Sequence, residues 1–137
     1  MSNAPLPVGS YPMTREVGDL LFVSGLGPRK PKSDTSASSV PGIVMDASGN
    51  FETFDFKAQV ESVFANVETV LAEAGRDKSK LVDITVFLTD MQRDFRIFNE
   101  MYADWVSDLD PKPCRTTVQV TALPTPIAIE LKCIATR

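Results

Sequence analysis

Histidine is absent from this sequence, and cysteine occurs only twice. The first absence removes both the commonest metal ligand and the commonest general base of enzymes. Two cysteines in a chain without a recognisable secretory signal predict reduced thiols rather than a disulfide framework. Any catalysis is therefore expected to depend on carboxylates, arginine, tyrosine, hydroxyl groups, thiols, backbone groups and water.

Long basic and long apolar runs are lacking as well. The formal net charge is -4, and the longest basic run is Arg29-Lys30. This balance disfavours nucleic acid and anionic membranes as partners. No stretch approaches the roughly 20 apolar residues of a membrane span. Residues 1–5 also lack the charged and apolar regions of a secretory signal, so we expect a cytoplasmic protein.

The chain is expected to form one domain over residues 1–137, with enough apolar side chains, 43% of the sequence, for a single core. Residues 19–25 are a short apolar run between turn residues, which predicts a strand buried on both faces. Residues 30–42, rich in Lys, Ser and Pro, predict a loop, and a second strand is expected after it.

Two helices and a strand are predicted in the middle of the chain. The first helix starts at residue 53 or 55 and ends at Gly75, a typical C-cap, because apolar residues recur at three- and four-residue steps. Alternation at Val82, Ile84, Val86 and Leu88 predicts a strand. A second apolar stripe then predicts a shorter helix. The side chains of this stripe, which are expected to lie in the core, are Phe95, Phe98, Tyr102, Trp105 and Val106.

Two further strands, residues 115–121 and 127–136, close the chain around a turn at residues 122–126. The order of elements predicts an α+β fold with two helices on one face of a mixed sheet. If the last two strands pair as a hairpin, their apolar residues share the helix-covered face: Val118, Val120, Ile127, Ile129, Leu131 and Cys133. Arg115, Thr117 and Glu130 then lie together on the opposite face, where Ala128 and Ile134 favour burial against another subunit.

Six ordered segments resemble the successive blocks of the RidA (YjgF) family of reactive intermediate deaminases. They are Gly9-Ser10-Tyr11 and residues 21–25, 86–91, 98–102, 113–118 and 129–135. The resemblance implies a chorismate-mutase-like fold and a homotrimer with active sites between subunits. It also implies hydrolysis of enamines or imines to ketones and ammonia, without metal or cofactor.

The resemblance assigns roles to individual residues. Arg115 matches the arginine that binds the substrate carboxylate, and Glu130 matches the acid that positions or activates water. The residues that match the lining of the same cleft are Tyr11, Ser24, Gly25 and Asn99. Thr117 stands where many members have cysteine, and Ser10 and Pro12 also depart from the family pattern, which allows a different substrate near Tyr11.

Two segments, residues 24–31 and 123–127, are more similar to the branch that deaminates 2-aminomuconate than to the branch that acts on 2-aminoacrylate. A dicarboxylate requires a second anchor, for which Arg29 or Lys30 is the candidate. The alternatives are a broad 2-aminoacrylate deaminase and a non-catalytic ligand-binding member of the same fold.

Each candidate also has a simpler structural interpretation. Arg115 would be a surface or trimer-contact residue, Glu130 a solvated or ion-paired acid, and Arg29-Lys30 a solvated pair. Tyr11 would be a packing residue and Ser24 a turn residue. Asn99 would cap or brace a neighbouring loop. Cys133 is expected to be a packed small hydrophobe, whereas Cys114 is either reactive or inert.

Overall fold

The structure, a computed structural model, describes residues 2–31, 33, 39–48, 51–124 and 126–137. Its strands are β1 (Thr14–Val17), β2 (Leu20–Leu26), β3 (Ile43–Met45), β4 (Phe51–Phe54), β5 (Leu81–Leu88), β6 (Cys114–Gln119) and β7 (Ile129–Thr136). The helices are α1 (Phe56–Glu73) and α2 (Met91–Trp105), and a single 3-10 turn, Lys78–Lys80, precedes β5.

Five strands form one mixed sheet in the order β1-β2-β7-β5-β6, while β3 and β4 pair separately. The pair β5-β6 is parallel, and the other neighbours in the large sheet are antiparallel. Both helices pack on one face of this sheet and contact each other. The predicted α+β architecture is therefore confirmed.

The predicted hairpin between the last two strands is wrong, because β5 lies between β6 and β7. Strand β5, helix α2 and strand β6 form a crossover unit, and such a unit places its second strand parallel to its first. Strand β7 then pairs with the other edge of β5 and with β2. The two strands are close in sequence but separated in space, so side chains expected to share one face of a hairpin are not neighbours across a strand pair.

The core lies between the helices and the sheet. On β7 the side chains of Ile129, Leu131 and Cys133 are completely buried, as predicted. Helix α1 begins where the Asp55 carboxylate accepts a hydrogen bond from an amide of the first turn, and it ends before Gly75, whose φ is 76°. Both ends agree with the prediction, because caps and apolar spacing are local properties of the sequence.

The face of the sheet away from the helices carries no helix of the described residues, and we call it the open face. Its members alternate with the core residues along each strand. They include Leu20, Phe22, Phe87, Cys114, Val118, Glu130, Lys132 and Ile134. Leu20 and Phe22 are 39% and 37% exposed, so β2 is buried on one face only, contrary to the prediction.

Three other expectations fail for local reasons. A register shift between Leu81 and Asp83 turns Val82 out of the core, and Leu81 takes its place. Val118 is exposed because it shares the open face with Phe87. Ala128 precedes β7 and is buried rather than placed on the open face.

The sequence analysis also missed a strand. Strand β1 pairs with β2 through the two-residue turn Gly18-Asp19, in which Gly18 has a φ of 59°. A glycine in such a turn is a recognised hairpin signal. Two short strands, β3 and β4, stand where one was expected, and the predicted loop of residues 30–42 lies partly outside the described residues.

Candidate active site

Arg115 lies on the helix-covered side of the sheet, not on the open face. In the β5-β6 register it pairs with Ile84, whose side chain is completely buried in the core. Registered neighbours in a sheet project to the same face, so Arg115 points beneath α2. Because β6 is an edge strand, the guanidinium remains half-buried.

Side chains of helix α2 contact this guanidinium through a hydrogen bond and through aromatic rings. Arg115 Nη2 donates a hydrogen bond of 2.8 Å to Asn99 Oδ1. Its Cζ lies 4.8 Å from the ring centroid of Tyr102 and 5.5 Å from that of Phe98. These distances are typical of cation-π contacts. The bond to Asn99 uses one of five guanidinium N–H donors, which leaves a fork available for a carboxylate.

Thr117 lies two residues further along β6 on the same face, since it pairs with the buried Val86. Its Oγ1 is buried and lacks a hydrogen-bond partner in the part of the chain that is described, as does Tyr102 Oη. Buried hydroxyls normally have a partner. We call Arg115, Asn99, Thr117, Phe98 and Tyr102 the Arg115 cluster.

Phe95 was expected in the core, but it is 36% exposed. It stands one turn before Asn99 on α2, and its ring centroid lies 6.0 Å from Arg115 Cζ. Phe95 fits the apolar periodicity of α2 but lies above the edge of the sheet. No strand lies beyond β6 on that side to cover its ring. Phe95 therefore flanks the guanidinium rather than filling the interior.

Glu130 lies on the other side of the sheet. It pairs with Phe87 in the β5-β7 register, three residues along β5 from the partner of Arg115. An odd separation along one strand means opposite faces. The prediction that Arg115 and Glu130 lie side by side in one chain is therefore wrong.

The Glu130 carboxylate is seated directly against the backbone of Gly25. A Cβ atom at Gly25 would lie only 2.7 Å from Oε2 of Glu130, so a larger residue there would displace the carboxylate from this seat. Burial raises the pKa of Glu130 above its ordinary value, and the positive charge of Arg29 opposes that rise. Burial thus shifts this acid toward its protonated form relative to an exposed glutamate.

Four of the predicted residues, Tyr11, Gly25, Arg29 and Glu130, line one small cavity. The cavity is completed by the side chains or backbone of Val8, Gly27, Pro124 and Ile127. We call this set the Glu130 pocket. Its volume is about 10 Å³, room for roughly one water molecule. A substrate therefore cannot be enclosed by this pocket and would lie across its mouth.

Ser24 supports the pocket from behind. Its Oγ donates to the Pro12 carbonyl at 2.7 Å, and its amide donates to the Met13 carbonyl at 2.8 Å. These bonds fix the segment that carries Tyr11, whose own Oη accepts from the Val8 amide at 3.2 Å. The contacts seen for Ser24 are with the backbone of this segment.

Arg29 is only 5% exposed, so its interpretation as part of a solvated charged pair is wrong, although Lys30 is exposed. Both cysteines lie outside the two groups. Cys133 is buried, and burial raises the pKa of its thiol to about 12, which fits its expected packing role. Cys114 is exposed on the open face. Within the described ranges, no group of three or more His, Cys, Asp or Glu residues is arranged to hold a metal ion.

Four residues that build or support the two groups were not predicted as part of a site. Phe98 and Tyr102 were assigned to the core, and their role as ring faces beneath Arg115 became visible only with the β6 register. Gln59 and Asn66 are polar residues at buried positions of α1. A polar residue inside an apolar helical stripe is a signal that can be detected in the sequence, since such a group needs a hydrogen-bond partner.

An α+β chain with a half-buried arginine on one side of its sheet and a half-buried acid on the other defines a class of protein with a divided polar site. A sequence model of one such family, described as Endoribonuclease L-PSP, matches residues 1–137. A RutC family protein of Aquifex aeolicus is 34% identical over 135 residues, which cover 98% of this chain and 94% of the relative. The chain belongs to this family, the RidA family.

Another relative is the chloroplastic Reactive Intermediate Deaminase A of Arabidopsis thaliana, 34% identical over 134 residues that cover 98% of this chain and 62% of the plant protein. The crystal structure of the YjgF gene product of E. coli matches with a TM-score of 0.79 and 29% identity, over 98% of this chain and 94% of that chain. These matches confirm the expected family and fold. No helix in the described part of the chain is long and apolar enough to cross a membrane.

Proposed function

We propose that this chain hydrolyses enamine and imine carboxylic acids to 2-oxo acids and ammonia. In this proposal it works as a homotrimer whose active sites each combine the Arg115 cluster of one copy with the Glu130 pocket of another. The observation that carries the proposal is the division of the predicted residues into two groups on opposite sides of one sheet. The deaminase name of the Arabidopsis relative supports the reaction class.

Each group is incomplete without the other. The Arg115 cluster offers a fork of N–H donors and a Thr117 hydroxyl that has no partner among the described residues, but it contains no acid. The Glu130 pocket offers a half-buried acid and room for about one water molecule, in a cavity of about 10 Å³. The exposed Leu20, Phe22 and Val118 on the open face support burial of that face against other copies.

Arg115 would bind the substrate carboxylate through two parallel N–H bonds. A bidentate guanidinium fixes the plane of the carboxylate and therefore the position of the attached C–N carbon. Asn99 and the rings of Phe98 and Tyr102 already hold the guanidinium in place. Substrate binding would therefore cost little side-chain conformational entropy. Lysine at this position would supply charge without orientation.

Hydrolysis then requires proton transfers and one water molecule. An enamine first tautomerises to the imine as its β-carbon gains a proton and its nitrogen loses one. Water adds to the C=N carbon, Glu130 accepts a proton from that water, and the nitrogen gains a proton. The hydroxyl proton of the carbinolamine then passes to the nitrogen, the C–N bond breaks, and a C=O group forms as ammonia leaves. Positioned acid-base help of this kind contributes on the order of 10²- to 10⁴-fold.

The raised pKa of Glu130 suits both halves of that sequence. An acid whose protonated form is favoured by burial can donate a proton to carbon and then, once ionised, accept one from water. The cavity beside it is of the size needed for that water. Neither step requires a group that the two sets of residues lack.

For the substrate we propose 2-aminomuconate, with Arg29 as the anchor for a second carboxylate. Arg29 is buried in the Glu130 pocket, where an assembled site would place it across the substrate from Arg115. A broad 2-aminoacrylate deaminase is the alternative. The two are separated by Arg29→Met, which should lower kcat/KM for 2-aminomuconate much more than for 2-aminoacrylate. An equal loss on both substrates would remove Arg29 from substrate binding.

The shared site is tested by combining two inactive variants. Arg115→Ala and Glu130→Gln chains carrying different tags are co-expressed, and trimers that contain both are isolated by both tags. In a cyclic trimer with sites between copies, each mixed trimer regains one complete site, so about a third of the wild-type ammonia release per trimer is expected. Trimers of either variant alone serve as the controls.

Three outcomes count against the proposal. Mixed trimers as inactive as their parents would place both residues in one site within a chain. Wild-type protein that releases no ammonia from 2-aminomuconate or 2-aminoacrylate would favour the non-catalytic alternative. Cleavage of RNA, the activity in the family's description, would replace deamination; the net charge of -4 gives no basis for expecting it.

A further inference from the structure

Helix α1 carries two polar residues within its buried apolar stripe. Gln59 is 0% and Asn66 3% exposed. They are seven residues apart, about two helical turns, and therefore lie on the same face of the helix. Burying an amide is unfavourable unless it is hydrogen-bonded. The partners of these two side chains are not on the helix itself.

Asn66 binds the segment that follows β2. Its Nδ2 donates to the Gly27 carbonyl at 2.9 Å and to the Arg29 carbonyl at 2.8 Å. The two bonds use both hydrogens of the amide nitrogen. Gly27 and Arg29 both line the Glu130 pocket, and Gly25, which seats the Glu130 carboxylate, is two residues upstream.

Gln59 binds the segment that leads into β7. Its Oε1 accepts a hydrogen bond of 2.8 Å from the Ala128 amide. Ala128 lies between Ile127, which lines the pocket, and the start of β7, two residues before Glu130. The Ala128 carbonyl also accepts from the Thr89 amide at 3.2 Å, so both backbone polar groups of Ala128 are hydrogen-bonded.

We propose that Gln59 and Asn66 are positioning residues that together set the spacing between the two segments of the Glu130 pocket. One segment provides Gly25 and Arg29, the other provides Ile127 and Glu130, and α1 binds both through side chains two turns apart. The inference rests on the proposed function. It predicts a loss of turnover without a loss of substrate affinity, because the Arg115 cluster is built on α2 and β6 and is not held by either amide.

The test compares Asn66→Ala and Gln59→Met with Val63→Ala. Val63 is completely buried on α1 between the two amides, so its truncation weakens the same helix while keeping both sets of hydrogen bonds. With enzymatically generated 2-aminoacrylate, kcat of the two amide variants should fall about tenfold to a hundredfold, with KM within about twofold of wild type. Val63→Ala should lower the melting temperature and leave kcat near wild type.

A conservative variant adds a second comparison. Gln59→Glu retains an acceptor oxygen for the Ala128 amide and should recover part of the kcat that Gln59→Met loses. A residue that matters only for packing would not show this order. Equal losses of kcat in Val63→Ala and Asn66→Ala, or unchanged kcat in both amide variants, would overturn the inference.

Hydrogen exchange keeps the inference testable even if the proposed deaminase activity fails. The amides of Gly27 and Arg29 should lose protection in Asn66→Ala, and that of Ala128 in Gln59→Met. Strand β5 should be unchanged in both variants. Selective loss of protection supports the positioning role without any assay of turnover. Loss of the same size in Val63→Ala, or no loss at all, refutes it.

Discussion

The Arg115 cluster and the Glu130 pocket are built in different ways. The cluster consists of side chains from regular elements, α2 and β6, stacked around one guanidinium. The pocket consists mainly of loop segments beside the end of β2 and the start of β7, where the backbone of Gly25 seats a carboxylate. It leaves space for about one water in a cavity of about 10 Å³. The cluster should therefore depend on which side chains are present, and the pocket on where the backbone lies.

Their electrostatic settings differ in a related way. Arg115 is half-buried against ring faces and an amide, and among the described residues only Asn99 accepts a hydrogen bond from its guanidinium. Glu130 is half-buried near the charge of Arg29, and burial raises its pKa. A direct Arg115–Glu130 ion pair would occupy the guanidinium and lower the pKa of the acid. Placing the two on opposite sides of the sheet prevents this pairing within a chain.

The largest effect is expected at the centre of the cluster. In the proposed site, Arg115→Ala would remove two charge-assisted hydrogen bonds to the substrate, each worth about 1.5 to 3 kcal/mol, so kcat/KM should fall on the order of 10³-fold. Because Arg115 is on an edge strand and half-buried, the melting temperature should change little. Steady-state ammonia release and thermal unfolding measure both, with Arg115→Lys as the charge-conserving control. A lysine variant with wild-type kcat/KM would contradict bidentate binding.

The next effect separates the two groups kinetically. Glu130→Gln keeps the shape of the acid but cannot accept a proton, so kcat should fall about a hundredfold, within the usual range for acid-base catalysis. KM should stay close to wild type because the carboxylate-binding cluster is intact. A variant that changes KM and leaves kcat unaltered would show that Glu130 binds substrate rather than handling protons.

Features that depend on neighbours along the chain could be predicted from the sequence. The stripe of α1, its Asp55 and Gly75 ends, and the alternation of Ile129, Leu131 and Cys133 follow from periods of 3.6 and 2 residues. The site residues could be predicted only from the family resemblance. Residues 9–11 and 113–118, for example, carry no spacing that by itself requires a common cavity.

Strand partners could not be predicted in the same way. Alternation shows that Arg115 and Thr117 share a face of β6, but it cannot show that β5 rather than β7 lies beside them. That choice depends on the crossover through α2, which involves residues far apart in the sequence. Val82 points out of the core because of a local register shift, and the alternation of apolar residues in the sequence does not predict this shift.

A methyl group at Gly25 tests whether the pocket depends on its backbone. In Gly25→Ala the new Cβ would lie 2.7 Å from Glu130 Oε2 and must displace the carboxylate. A displacement of this size should lower kcat roughly tenfold, with little change in KM. Gly18→Ala is the matched control, because Gly18 has a φ of 59° and open space around it. That control should lose stability in the β1-β2 turn but retain wild-type kcat.

A smaller effect is expected from the ring beneath Arg115. Tyr102→Leu removes a cation-π contact at 4.8 Å, worth about 0.5 to 1 kcal/mol, so KM should rise about twofold to fivefold. Tyr102→Phe keeps the ring and removes only a hydroxyl that has no partner in the described part of the chain, so its KM should match wild type. Kinetics of the two variants, measured in parallel, decide whether the ring face orients the guanidinium. Equal KM values for both variants would contradict that role.

The smallest effect concerns stability and pH, and it has opposite signs at two acids. Burial raises the pKa of Glu130 above its ordinary value of 4.5, so the folded chain binds this proton more tightly than the unfolded chain does. The stabilising contribution is complete below pH 4.5 and is lost as the pH rises through the raised pKa. Glu130→Gln should therefore gain melting temperature over wild type as the pH increases above that value.

Glu73 provides the matched control at the surface. Hydrogen bonds from the Asn3 amide and the Ser2 hydroxyl lower the pKa of Glu73 below 4.5. Its contribution is present above pH 4.5 and is lost as the pH falls through the lowered pKa, so Glu73→Gln should lose melting temperature relative to wild type only above that range. Thermal unfolding of the three proteins from acid to neutral pH measures both trends. A pH-independent difference for Glu130→Gln would mean that burial of the acid does not disfavour its ionisation, and the electrostatic contrast between pocket and cluster would fail.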